Sequence, residues 1–294
     1  MKSILALFFL SIFPLFAEPV SDNVKEVEAS ASAKKTKNYN VKSPPKRNGK
    51  FIDYEAEFDG RTFSGVGYLV LPEGASAANP VPGVIVVHEW WGQTAYPRKR
   101  AEMLAELGYA AFAIDMYGGG VTVDKVHEAG SLMVKVIQDY RIVEERFSIG
   151  MQVLQEQPEV DGSKIASIGY SVGGTMAMQA AACNIPNLLG VVAFHSGPDI
   201  EIPKGMKSID AKILICNGED DTLIMPDTLS DFYEDIRPLK TDITFETYPG
   251  VINGFTNPES DAIAKKFNSS VAYNKEADEK SWNSMQAFLK LVFK

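Results

Sequence analysis

The 294-residue sequence is poor in the residues that most often carry metal or disulfide chemistry: it has two cysteines and three histidines. No Cys/His group shows zinc-ligand spacing, which removes the common structural and catalytic zinc classes. Cys183 is placed near the end of an expected helix and Cys216 at the end of an expected strand, so the pair reads as two buried free thiols rather than a disulfide. Positive charge is also short. Against 38 acidic residues stand 29 basic ones, a formal net charge of -9, and no basic stripe lies outside the N-terminal region. That balance excludes nucleic acid as the main partner, because phosphate binding needs a basic surface. A hydrophobic content of 45% and a charged content of 23% are ordinary for a globular protein.

The apolar run from Ile4 to Phe16 follows Lys2 and ends at the small residue Ala17. It is too short for a membrane span and reads as a signal peptide over residues 1–17. Export to the periplasm or the medium is the expectation, with no stable membrane insertion after cleavage. Residues 18–48 are rich in Ser, Ala, Lys and Pro. Tracts such as Ala29-Ser30-Ala31-Ser32-Ala33-Lys34-Lys35 have nothing to bury, and the segment reads as a flexible linker.

From residue 49 the pattern becomes that of one folded domain running to residue 294. Ile52, Tyr54, Ala56 and Phe58 alternate with acidic residues, as in a half-buried strand. Asp59-Gly60 is a turn signal, and Thr62 to Leu71 is the returning strand, giving an antiparallel start. Strands and helices then alternate. Val84–Val87, Ala110–Ile114, Ile165–Ile168, Leu189–Phe194, Ile213–Ile215 and Ile243–Thr247 are apolar runs suited to strands covered on both faces. Helices are expected over 97–107, 124–137, 142–154, 172–183 and 275–292, and between the later strands. This rhythm predicts an α/β fold with a mostly parallel sheet and helices on both faces.

Four segments carry chemistry. Gly169-Tyr170-Ser171-Val172-Gly173-Gly174 lies between a buried strand and a helix, the setting of a nucleophile elbow. A serine on so tight a turn needs small neighbours, and the helix that follows points its positive end at the site. His88-Glu89-Trp90-Trp91-Gly92 follows the first core strand, where the Trp90 amide can join that of Val172 in an oxyanion hole. Cys216-Asn217-Gly218-Glu219-Asp220-Asp221-Thr222 ends a late strand and offers an acid, Asp221 being preferred to Asp220. Tyr248-Pro249-Gly250-Val251-Ile252-Asn253-Gly254-Phe255 ends the last strand, where the chain order Ser, Asp, His calls for a histidine and the sequence has none. Of the three histidines, His88 is the nearest substitute base. His195 reads as structural and His127 as a surface residue.

Together these segments resemble the dienelactone hydrolase family, over most of the chain beyond the linker. The resemblance rests on Glu89-Trp90-Trp91-Gly92, on residues 169–174, on the acid loop that selects Asp221, and on Asn253-Gly254-Phe255-Thr256-Asn257-Pro258. It implies an α/β-hydrolase fold, a small ester or lactone as substrate, and no cofactor or metal. It implies Ser171, Asp221 and the residue at 253 as catalytic positions, with Glu89, Tyr170 and Phe255 at the substrate pocket. Three positions depart from the family pattern. Ser171 replaces the cysteine nucleophile of dienelactone hydrolase itself, Asn257 stands where a substrate-binding Arg is usual, and Asn253 stands in the histidine position.

An amide accepts no proton near neutral pH, so Asn253 is unable to serve as general base. The expectation is therefore a hydrolase of the acyl-serine type with strongly reduced activity. The alternative is a ligand-binding protein on a hydrolase scaffold. Specificity is expected from loops 117–123 and 196–207.

Overall fold

The computed structural model describes residues 49–58 and 60–294; the expected signal peptide, linker and Asp59 lie outside them. Eight strands form one sheet in the order β1-β2-β4-β3-β5-β6-β7-β8. β1 (Lys50–Phe58) and β2 (Arg61–Val70) form the antiparallel hairpin, and β2 joins β4 (Ala110–Ile114) antiparallel. From β3 (Val81–Val87) onward all pairings are parallel, through β5 (Val160–Tyr170), β6 (Leu188–Phe194), β7 (Lys212–Gly218) and β8 (Ile243–Tyr248). The apolar runs are central strands: Val84 to Val87 and Ala110 to Ile114 are fully buried, as two covered faces require.

Seven helices lie among the described residues. They are α1 (Ala95–Glu106), α2 (Val126–Ile137), α3 (Tyr140–Gln155), α4 (Val172–Ala182), α5 (Pro226–Ile236), α6 (Ser260–Phe267) and α7 (Lys275–Val292). Two apolar layers result. One packs α2, α3, α4 and α5 on a sheet face through Met133, Phe147, Met176 and Phe232. The other packs α1 and α7 on the opposite face through Leu104, Met285 and Leu289. Alternation along β5 decides which layer each residue serves: Ala166, Ile168 and Tyr170 all point to the α1/α7 side, as a period of two demands.

Three features differ from expectation. No helix separates β6 from β7; residues 195–211 run as an irregular segment. Pro198 and Pro203, with Gly197 and Gly205, explain this, since proline removes helix donors and glycine costs backbone entropy. The short α6 was not anticipated. Cys183 and Cys216 are both free, but Cys183 is only half-buried. Burial lifts their thiols to about 11 and about 12, which leaves them protonated at neutral pH.

The strand order turns the chain outward from β3 to β4 and then back to β5 on the other side of β3. In open α/β sheets the crevice at such a reversal, beyond the carboxyl ends of the strands, is where ligands bind. The loops after β3, β5, β6, β7 and β8 all open there.

Candidate active site

β5 delivers Ser171 to this edge. Its backbone has φ 52 and ψ -128, a region that costs on the order of 1–3 kcal/mol for a residue with a side chain. The surroundings hold it there. Ser171 N–H donates to the Phe194 carbonyl at 2.9 Å, and its own carbonyl accepts from Gly174 N–H at 2.9 Å. A Cβ at Gly173 would collide with the carbonyls of Val87 and His88, and one at Gly169 with the backbone of Gly173. The small residues flanking Ser171 are therefore required by close backbone approach. Val172 opens α4, so its amide belongs to the first turn of donors that no helix carbonyl can satisfy.

The loop after β3 is pinned from several directions. Gln93 Nε2 donates to the carbonyls of Ala113 and Ile114, Tyr117 Oη donates to the Trp90 carbonyl at 2.9 Å, and Val123 N–H donates to the Trp91 carbonyl. Trp91 stacks on Phe267 of α6 with ring centroids 5.3 Å apart. Trp90 and Val172 thus face the same cavity from fixed backbones.

After β7, Asp221 is buried and accepts from Leu223 N–H at 2.9 Å. After β8, Asn253 is also buried and donates from Nδ2 to Asp221 Oδ2 and to the His195 carbonyl, each at 2.9 Å. Both amide hydrogens are spent on these acceptors. The side-chain Oδ1 of Asn253 is left to face the cavity, a hydrogen-bond acceptor and not a base. Burial pushes the Asp221 carboxyl above its ordinary range, and the Asn253 hydrogen bond opposes that rise.

Ser171 and Asn253 line one cavity of about 330 Å³, together with Glu89, Trp90, Trp91, Val172, Leu223 and Val271. Asp221 stands behind Asn253, outside the lining. Glu89 is buried, and its Oε2 accepts from Asn257 Nδ2 at 3.0 Å. Burial lifts its carboxyl to about 7 despite that bond and the nearby Arg100. Asn257 is thus a partner of Glu89 inside the protein.

Tyr170 and Phe255 do not line the cavity, contrary to expectation. Tyr170 stacks on Phe194 at 5.0 Å and Phe255 packs on Tyr248 and His195, all in the α1/α7 layer. They support the floor of the site instead of touching a ligand. Beside them Arg100 is buried, paired with Asp278 at 2.6 Å and donating to the Thr256 carbonyl at 2.5 Å. That bond ties the 253–257 segment to α1 and α7.

The histidines are accounted for. His88 Nε2 accepts from Met116 N–H at 3.1 Å, which fixes the proton on Nδ1, and Nδ1 donates to the Glu89 carbonyl at 2.6 Å. Both nitrogens are used, so His88 is no substitute base. His195 is buried with Nε2 bonded to Thr256 Oγ1 at 2.8 Å, and burial drops its basicity to about 3. It contributes to the cavity wall and to the hold on Asn253, a role its sequence position did not announce. His127 is exposed on α2. No group of metal-binding side chains occurs among the described residues. Of the two loops expected to shape specificity, 196–207 supplies Gly197 and Asp199 to the lining. The 117–123 loop supplies none and acts indirectly, through Tyr117.

A mostly parallel sheet with a serine on a strained strand-to-helix turn at its carboxyl edge is the architecture of an α/β-hydrolase. The profile of the dienelactone hydrolase family matches residues 66–293, and the chain belongs to that family. Among similar proteins, Protein usf of Aquifex pyrophilus is 27% identical over 229 residues, covering 76% of this chain and 92% of that one. The carboxymethylenebutenolidase of Pseudomonas putida is 28% identical over 133 residues, 42% of this chain and 52% of that one. A solved structure described as a dienelactone hydrolase-like promiscuous phosphotriesterase from metagenomic libraries superposes with a TM-score of 0.76. It is 30% identical, over 84% of this chain and 99% of that one.

Proposed function

We propose that this chain is a hydrolase of small carboxylic esters or lactones that works through an acyl-Ser171 intermediate and turns over slowly because Asn253 holds the general-base position. The carrying observation is that Ser171 and Asn253 share one cavity while Asn253 is held by Asp221. In this reading Ser171 Oγ attacks the carbonyl carbon and the C=O electron pair moves onto oxygen. The Trp90 and Val172 amides stabilise that oxyanion, an effect worth a few kcal/mol per donor. Collapse expels the alkoxide, which leaves as alcohol with the serine proton, and water repeats the sequence on the acyl-enzyme to release the acid. With no imidazole to carry the proton, both halves rely on solvent, and the remaining acceleration comes from the oxyanion hole and from binding. Export through residues 1–17 is part of the same proposal and is checked by N-terminal sequencing of the mature protein.

The chemistry is tested with an uncharged fluorophosphonate, whose phosphorus meets Ser171 Oγ and loses fluoride. Modification mapped to Ser171, slowed by a competing short-chain ester and faster in an Asn253→His variant, is the expected result. No modification of either form, with no ester binding, supports the alternative of a binding protein on a hydrolase scaffold.

A further inference from the structure

The cavity over Ser171 is lined by aromatic and aliphatic side chains, Trp90, Trp91, Met133, Ile137, Leu223 and Ile263 among them. Its charged groups are all of one kind. Glu89 lies in the wall and Asp199 at the exposed mouth, and no lysine or arginine among the described residues contributes to the lining. Neither carboxyl is neutralised by an ion pair. Glu89 takes only the neutral Asn257 amide, and the cost of ionising Asp199 is raised by burial first and then by the charge of Asp231 on α5. The buried cation in this region, Arg100, is committed to Asp278 and the Thr256 carbonyl behind the wall. A ligand carboxylate entering the cavity would lose water, meet no lysine or arginine in the lining, and pass the like charge of Asp199 and, in its ionised fraction, that of Glu89. An uncharged acyl chain of similar length would gain apolar burial against the tryptophans.

We infer that the site selects uncharged, apolar acyl groups and rejects acyl groups that carry a carboxylate, with Asp199 as a specificity-determining residue at the cavity mouth. This rests on the reading of the cavity as the ester site, and it deepens that reading by naming the substrate class. Two unit charges about 7 Å apart in a partly solvated mouth repel enough to cost roughly tenfold in binding. The Asp199 contribution should therefore be visible on its own.

Two matched pairs test it on the full chain. 4-Nitrophenyl pentanoate and 4-nitrophenyl hydrogen glutarate differ by a methyl group against a carboxylate. Their Ser171-dependent nitrophenolate release, after subtraction of the Ser171→Ala rate, is compared in the unmodified chain and in Asn253→His. Hexan-2-one and 5-oxohexanoate differ in the same way, cannot be hydrolysed, and are titrated by quenching of the cavity tryptophans. The expected result is a preference of tenfold or more for the uncharged member of each pair. Asp199→Asn should reduce it several-fold, and Asp199→Lys should reduce it further through tighter binding of the anion. Equal or better handling of the anionic member overturns the inference, as does a preference that both Asp199 variants leave unchanged, or quenching by neither ketone. Absence of Ser171-dependent release with the ketone preference intact removes the hydrolase reading alone, since the binding comparison needs no turnover.

Discussion

Replacing Asn253 by His should raise turnover by at least 10³-fold. The structure supplies the terms of that estimate. Asn253 already donates to Asp221 Oδ2 at 2.9 Å, so an imidazole there can place Nδ1–H on the same oxygen and turn Nε2 toward the cavity that Ser171 lines. The extra ring volume extends into open space. In a dissected serine hydrolase, subtilisin, loss of the base costs on the order of 10⁶ in kcat. A grafted base recovers only part of this, because the hydrogen bond to the His195 carbonyl is lost and the ring must find its own angle. The loss of that bond should cost about 1 kcal/mol in stability. A gain of about 10³ corresponds to about 4 kcal/mol of barrier. The assay is the initial rate on 4-nitrophenyl acetate, with Ser171→Ala as the blank and a folded circular-dichroism spectrum as the check on each variant. A rise below about tenfold in a folded variant would refute the reasoning that proton transfer is the missing element.

Three further outcomes follow from the same geometry. Asp221→Asn should change the slow rate of the unmodified chain little, yet reduce the rate of the Asn253→His variant by up to about 10⁴-fold, because only an imidazole needs the acid to set its tautomer; the comparison is a double-mutant cycle of kcat/KM. Glu89 should make the fold less stable as pH rises. Its folded-state carboxyl is raised from 4.5 to about 7, so its contribution is complete below about 4.5 and is lost as pH climbs through about 7, on the order of 3 kcal/mol in all. Glu89→Gln should flatten that part of the urea-midpoint profile between pH 5 and pH 8. Arg100→Ala should cost about 2–4 kcal/mol in urea unfolding, since it leaves the part-buried Asp278 with the Tyr273 hydroxyl alone and strips the buried Thr256 carbonyl of its guanidinium donor.

Much of this was readable from residues alone because the signals were local. Val84–Val87 and Ala110–Ile114 are short, unbroken apolar runs, of the kind that parallel strands covered on both faces carry. Gly169 is demanded by the backbone of Gly173 and Gly174, within a few residues of Ser171, whereas Gly173 answers to the distant Val87 and His88 carbonyls and Gly174 to the Ser196 side chain. Parity along β5 was also available: Tyr170 shares the face of Ile168, so it had to point away from the cavity, and treating it as a pocket residue overlooked the alternation. The missing helix between β6 and β7 was signalled by Pro198 and Pro203 in the same way. Other features depend on contacts across the fold that no local pattern carries. The hold of the His195 carbonyl on Asn253 spans 58 positions and that of Asn257 on Glu89 spans 168. The tautomer of His88 follows from Met116, a residue on another loop. Asp199 entered the cavity because an irregular segment, not a helix, crosses there.

The central claim is that Ser171 is poised to take an acyl group and lacks only a proton carrier. Intact-mass measurement with peptide mapping, after mixing with 4-nitrophenyl acetate, tests it most directly. One acetyl group is expected on Ser171, persisting in the unmodified chain and shed rapidly in Asn253→His. Acetyl found only on other residues, or an adduct at Ser171 lost at the same rate in both proteins, would contradict it.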